Sequence, residues 1–229
     1  MLMTVEIRRG TARFTERDVG RATRHAFSFG ADYDPARISF GPMICHDEHL
    51  LGAGRGFDAH RHAGLDIVTW VVSGALTHAD SLDGSSGGSH TLVPGEVGHL
   101  HAGAGVEHSE IAAAPQTRFV QVWLRSDDDS EPSYDVHAVS PGPLTEALTV
   151  GGSTLWVSRL AAGESVTLPE AGPLHVYVAS GALLRNSLAE PLAAGDALLV
   201  ADGTGPLSVT AAIDTELLSW RLSAADQTT

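Results

Sequence analysis

One stretch occurs twice, once in each half of the chain, and this repeat constrains the fold more than any other feature. Val71-Val72-Ser73-Gly74-Ala75-Leu76 is echoed by Val178-Ala179-Ser180-Gly181-Ala182-Leu183. Further along, Leu92-Val93-Pro94-Gly95-Glu96 is echoed by Leu192-Ala193-Ala194-Gly195-Asp196. Each half then closes on a tryptophan-bearing run, with Trp123 in the first and Trp220 in the second. Self-similarity on this scale means one structural unit built twice.

The unit is made of strands. Leu65–Val72 is β-branched, almost wholly apolar, and stops at Ser73-Gly74. Arg118–Arg125 alternates as a half-buried strand should. Leu155–Leu160, Leu174–Ala179, Ala197–Val200 and Leu217–Leu222 read the same way, with Gly, Asp, Ser and Pro turns between them. Glu16–Arg24 is the one segment with a weak helical pattern. The expectation is an all-β protein with two tandem β-barrel domains, residues 1–130 and 131–229. The acidic, proline-bearing stretch Ser126–Pro132 joins them as an exposed linker.

Charge narrows the partners. With 14 basic and 28 acidic residues, the net charge of −14 repels phosphate backbones and anionic lipids. Neither nucleic acid nor membrane is therefore an expected partner. A single cysteine, Cys45, cannot form an internal disulfide. It reads as a small buried residue of a protein in a reducing cytoplasm. The N-terminal residues have no apolar run of signal-peptide length, and no segment approaches the length of a membrane span.

Chemistry concentrates in the first half. Nine of the 12 histidines fall between positions 46 and 108. Among them are His60-Arg61-His62 and, 46 residues after His62, His108-Ser109-Glu110. Alternate residues of a strand share a face, so each pair can aim both side chains at one point. Three imidazoles and a carboxylate suit a divalent iron, copper, nickel or manganese ion with positions left open for substrate. Carrying the repeat across places Thr167, Pro169, Ser208 and Thr210 at the corresponding positions of the second half. None of these is a good metal ligand. The fold therefore does not itself demand the histidines of the first half.

The glycine spacing supplies a resemblance. Gly54-x5-His60-x-His62-x3-Asp66-x7-Gly74 looks like a first cupin motif with Asp in place of Glu. Gly95-x5-His101-Ala102-Gly103 looks like the second motif with its last histidine delayed to His108. The delayed form resembles the pirin family, through His62–Thr69, Gly74-x3-His78-x-Asp80-Ser81, Pro94–Val97 and Ala102-Gly103-x-Gly105-Val106-x-His108-Ser109-Glu110. Upstream, His25-Ala26-Phe27-Ser28-Phe29 and Tyr33-Asp34-Pro35 are similar to bacterial pirin-like proteins.

The resemblance implies a bicupin with one mononuclear metal in the N-terminal barrel. Its ligands would be His60, His62, His108 and Glu110. The metal would be a divalent transition ion, iron(II) by resemblance, with Cu, Ni, Mn, Co or Zn left open. It further implies a dioxygenase of the quercetin 2,3-dioxygenase type, which cleaves a flavonol ring with O2 and releases CO. Glu110 would serve as general base. The alternative is a non-catalytic, redox-sensing metal protein that docks a regulatory protein partner, and a third reading is another cupin chemistry. The chain departs from the family at Arg61, Asp66 and the strand Gly98-His99-Leu100-His101, all expected near the pocket.

Other polar residues have plainer readings. His99 and His101 read as satisfied polar groups, and His78 with Asp80 as a structural hydrogen bond. Asp66 has the chemistry to orient a ligand histidine. The run Asp83-Gly84-Ser85-Ser86-Gly87-Gly88 reads as a hairpin loop at the pocket rim.

Overall fold

The structure is a computed structural model that describes residues 5–82, 88–169, 172–185, 190–201 and 206–223. Strands succeed one another along the chain: β1 (Val5–Arg8), β2 (Phe14–Asp18), β3 (Arg21–His25), β4 (Met43–Leu51), β5 (Gly56–His62), β6 (Leu65–Ser73) and β7 (Leu76–Asp80). There follow β8 (Ser89–Leu92), β9 (Glu96–His101), β10 (Val106–Ala112), β11 (Thr117–Arg125), β12 (Ser133–Ala138), β13 (Thr145–Val150) and β14 (Ser153–Leu160). The last are β15 (Ser165–Thr167), β16 (Leu174–Ser180), β17 (Ala182–Leu183), β18 (Leu192–Ala193), β19 (Ala197–Val200), β20 (Ser208–Thr210) and β21 (Thr215–Arg221). Among the described residues the helices are two short 3₁₀ turns, Gly10–Ala12 and Pro35–Arg37, and no helix is long and apolar enough to cross a membrane.

The expected all-β architecture in two units is what the chain adopts. Phe14–Ala138 forms one compact unit. It holds a seven-stranded antiparallel sheet, β12-β9-β6-β11-β4-β3-β2, and a four-stranded one, β5-β10-β7-β8. Leu51, Val71 and Phe119 from the larger sheet pack with Leu76, Leu92 and Ala112 from the smaller, so the core lies between the two sheets. The other unit takes the described residues before Phe14 together with those from Val139 on. Its main sheet is β1-β19-β16-β21-β14-β13, and β15-β20 and β17-β18 form small ladders. Leu160, Val176, Leu198, Val209 and Leu217 fill its core.

The repeated residues do the same local work in each unit. Gly74 and Gly181 have φ of +81° and +83°. A Cβ at Gly74 would collide with Thr117, and one at Gly181 with Thr215. Only glycine meets both demands. Thr117 Oγ1 accepts from the Ala75 N–H and donates to the Ala75 carbonyl, at 3.2 and 3.0 Å. Thr215 makes the same pair of bonds to Ala182, both at 3.0 Å. Likewise Gly95 and Gly195 have φ of +97° and +93°. The acids after them, Glu96 and Asp196, accept from the Val93 and Ala193 N–H, each at 3.1 Å.

Three expectations need correction. Glu16–Arg24 is not helical: β2 and β3 form a hairpin with Glu16 opposite Thr23, turned at Gly20 with φ of +74°. The alternation expected for Arg118–Arg125 also fails in the middle, because Phe119, Val120, Gln121 and Val122 are all buried in a strand held between β4 and β6. The boundary at 130/131 differs from the observed division. β12 pairs with β9 beyond the Ser126–Pro132 stretch, and β1 pairs with β19, Val5 opposite Val200. Pairing with a strand so distant in sequence leaves no local signal. Cys45 is buried in β4, as its single occurrence suggested.

Candidate metal centre

β5 and β10 lie side by side in the smaller sheet, with His60 opposite His108 and Phe57 opposite Glu110. Three residues on β5 thus span what two span on β10, a bulge. Gly56 is required beside it, since a Cβ there would run into the Glu110 carbonyl. Alternation then does what the spacing suggested. His60, His62 and His108 each bring a ring nitrogen to within 4.8 Å of the other two. Ring centroids are 4.8 Å apart for His60–His62, 4.5 Å for His60–His108 and 5.1 Å for His62–His108. Glu110 enters through an overlapping group, with His108 and His78, and not within the same limit of His60 and His62.

The hydrogen bonds select which nitrogens face the cluster. His60 Nδ1 donates to the Asp58 carbonyl at 2.7 Å, which leaves Nε2 as the lone-pair nitrogen. His108 Nδ1 lies 3.5 Å from His78 Nδ1, and His78 Nε2 lies 3.0 Å from Asp80 Oδ2. A consistent assignment runs His108 Nδ1–H to His78, then His78 Nε2–H to Asp80. It leaves His108 Nε2 as a lone pair. That atom is buried and has no hydrogen-bond partner. Such an orphan is costly unless something binds it. Burial, then the neighbouring His60, pushes His62 down to about 4. Burial, then His60, His78 and His62, pushes His108 down to about 2. Neutral imidazoles are the form that binds a metal. The donor set therefore fits a divalent transition metal.

Glu110 is buried, and burial raises its carboxyl above the ordinary range despite opposing bonds from Gln121 and Thr69 and the nearby His60. Gln121 Nε2 lies 2.8 Å from both carboxyl oxygens, and Gln121 Oε1 accepts from Trp123 Nε1 at 2.9 Å. Sequence reading passed over Gln121. The available signal was a lone amide among apolar neighbours in Phe119-Val120-Gln121-Val122, because a buried polar residue is the informative exception.

A cavity of about 530 Å³ opens beside the cluster. His60, His62, Glu110, Gln121, Phe57 and Trp123 line it, as do His25, Phe29, Asp47 and His49. Glu48, on the other face of β4, pairs with Arg24 and Arg118 at 3.4 and 2.5 Å. Asp66 does not orient a ligand histidine. It accepts from His99 Nε2 and His101 Nδ1, both at 2.9 Å, and these bonds outweigh burial to hold its carboxyl below the usual range. His101 Nε2 lies 3.2 Å from Ser130 Oγ, so both histidines are satisfied polar groups. Arg61 reaches the Ala104 carbonyl at 3.0 Å. None of Arg61, Asp66, His99 and His101 lines the cavity. His78 and Asp80 form their expected bond, but His78 also abuts His108. The proposed rim loop falls at 83–87, outside the described residues, apart from Gly88.

In the second unit the strand pair β15–β20 sets Thr167 opposite Ser208 and Ser165 opposite Thr210. Their hydroxyls bond to one another at 2.8 Å in both pairs. In the register of the repeat, the Thr167–Ser208 pair corresponds to the His60–His108 pair of the first unit.

Comparison with known proteins adds a family and a fold. The family model described as Pirin matches residues 8–124. A Mycobacterium tuberculosis protein, provisionally named a quercetin 2,3-dioxygenase, is 34% identical over 98% of this chain and 97% of its own length. The quercetin 2,3-dioxygenase of Escherichia coli is 30% identical over 48% of each chain. Among solved structures, the Escherichia coli bacterial pirin YhhW in complex with nickel(II) superposes with a TM-score of 0.87. It is 22% identical, covering 96% of this chain and 100% of that one.

Proposed function

Because the chain belongs to the pirin family, we propose that it is a metal-dependent dioxygenase that opens the ring of a flavonol with O2 and releases CO. His60, His62 and His108 would hold the metal, with Glu110 as fourth ligand and base. The observations that carry this reading are the grouping of His60, His62 and His108, each with a ring nitrogen within 4.8 Å of the other two, and the buried, unpartnered Nε2 of His108. A bound divalent ion would acidify a coordinated hydroxyl and couple the substrate's electrons to O2. Three imidazoles and one carboxylate accommodate several ions, so the donor set does not choose among them.

The chain's own residues divide the remaining work. Glu110, whose burial raises its proton affinity, takes the proton of the flavonol 3-hydroxyl. Gln121 holds both oxygens of Glu110 and keeps the carboxyl aimed as its charge changes. Phe57 and Trp123 give the cavity flat apolar walls suited to a fused ring and exclude water from it. The test is Glu110→Gln in protein loaded in turn with iron, nickel and copper, with quercetin as substrate. CO release should fall at least about a hundredfold with the fold retained. Full CO release in the variant would remove Glu110 from the mechanism. Silence of the wild-type protein with every metal would overturn the dioxygenase reading in favour of a docking regulator.

A further inference from the structure

His25 lies at the end of β3, opposite Asp47 on β4. Its Nδ1 is 2.7 Å from Asp47 Oδ2, which fixes both the ring and the proton on that nitrogen. The opposite edge is different. Nε2 has Glu16 Oε2 at 3.7 Å, beyond hydrogen-bond length, and Glu16 is half exposed. His101, by contrast, engages both nitrogens. His25 engages one, and it lines the same cavity as His60, His62 and Glu110.

The route from His25 to the metal cluster is aromatic. His25 stacks on Phe29, with centroids 4.9 Å apart and planes 12° from parallel. Phe29 meets Trp123 edge-on at 6.0 Å, and Trp123 meets His62 edge-on at 4.8 Å. The cavity thus offers an aromatic wall with a hydrogen-bonding histidine beyond one end and the imidazole cluster beyond the other. This is the arrangement of a site that orients a planar ligand by two separated oxygens.

We infer that His25, held by Asp47, is a substrate-binding residue whose Nε2–H recognises a second oxygen of a planar polyphenol, remote from the oxygen handled at the histidine cluster. The inference rests on the reading that this cavity takes a flavonol. Protonation supports the donor role. Burial pulls His25 down, but the bond and charge of Asp47, with Glu16 and Asp32, outweigh it and hold the ring proton above the ordinary range. A charged imidazole donating to a phenol or phenolate oxygen forms the stronger class of hydrogen bond. Asp47 acts through His25 and is a positioning residue.

The experiment uses zinc-loaded protein, in which zinc's lack of redox chemistry separates binding from turnover. Isothermal titration compares quercetin with 3-hydroxyflavone, which keeps the 3-hydroxyl and 4-keto oxygens and lacks the remote ones. His25→Phe preserves the stack on Phe29 and removes the donor; Asp47→Asn weakens its orientation. Zinc stoichiometry and circular dichroism check that each variant is folded. His25→Phe should weaken quercetin binding about tenfold to a hundredfold, leaving 3-hydroxyflavone within about twofold. Asp47→Asn should shift the same ratio by less. Equal weakening of both ligands, or unchanged quercetin affinity, overturns the assignment. Failure of wild-type protein to bind either compound overturns the flavonol reading, and this inference with it. Quercetin binding without CO release from iron- or nickel-loaded protein removes the dioxygenase reading alone.

Discussion

Gln121→Met should be one of the costliest single substitutions in the first unit, although no ligand role attaches to Gln121. Methionine nearly matches the volume of glutamine but makes none of its bonds. Three groups lose a bond, the weakest being that from Gln121 Nε2 to Thr69 Oγ1 at 3.3 Å. Glu110 loses the amide donor 2.8 Å from both its oxygens and keeps only Thr69 Oγ1, 3.5 Å away. Trp123 loses the acceptor for its indole N–H. A buried hydrogen bond to a carboxylate is worth about 1.5–3 kcal/mol. The indole is only half-buried, so water recovers part of its loss and the cost there is about 0–1 kcal/mol. The sum is about 1.5–4 kcal/mol, against a typical domain stability of about 5–15 kcal/mol. Urea unfolding of metal-free protein, followed by tryptophan fluorescence, measures it. The decisive comparison repeats the substitution in a Glu110→Met background. With the carboxyl gone, Gln121→Met should cost no more than about 1 kcal/mol, a coupling of at least about 1 kcal/mol. Equal costs in the two backgrounds would refute the claim that Gln121 serves Glu110.

Gly74→Ala and Gly181→Ala should each cost about 1–3 kcal/mol, because both place a Cβ at positive φ against a threonine. Thermal melts of the two variants should show similar losses, and a loss at only one position would break the equivalence of the halves. Asp80→Asn should weaken zinc binding about tenfold to a hundredfold, since Asp80 fixes the His78 tautomer that in turn holds His108 Nδ1. Competition against a chromophoric chelator reads this directly. His25 has a folded-state pKa raised by Asp47, Glu16 and Asp32, so its stabilising contribution is complete below about pH 6.5 and fades as pH rises through the higher folded value. The stability difference between wild type and Asp47→Asn should therefore shrink on going from pH 6 to pH 9 in urea titrations; a difference that grows would reverse the sign of the argument.

What was legible in the sequence followed from local chemistry. Ser-Gly-Ala-Leu could be recognised twice because each copy needs a left-handed glycine beside a threonine, and only glycine serves there. His60, His62 and His108 could be picked out because alternation on a strand is a strict geometric rule. The course of β1 was not legible, since its partner Val200 is contributed from almost the far end of the chain and β1 itself is only four residues long. The hairpin β2–β3 was obscured by charged residues that fit an exposed strand as well as a helix. The partners of Asp66 stayed open for a different reason. Its nearest claimants, His99 and His101, come from β9, and nothing in sequence spacing ranks them above His60 and His62.

The pairing of β1 with β19 makes Phe14–Ala138 an insertion within the other unit, and this has a consequence for biosynthesis. β1, made well before β19, waits for its neighbour while most of the two units is synthesised. At about 5–20 residues per second, Val5–Arg8 waits roughly 10–40 s for residues 197–200 to be made. Through that interval it is an unpaired strand edge, open to any other extended segment. Glu6 and Arg8, which form an ion pair at 2.7 Å in the finished fold, put opposite charges on a strand that would otherwise offer a nascent chain an apolar template. Glu6→Gln, at the exposed member of the pair, should leave the mature protein nearly as stable while lowering the yield of soluble chain.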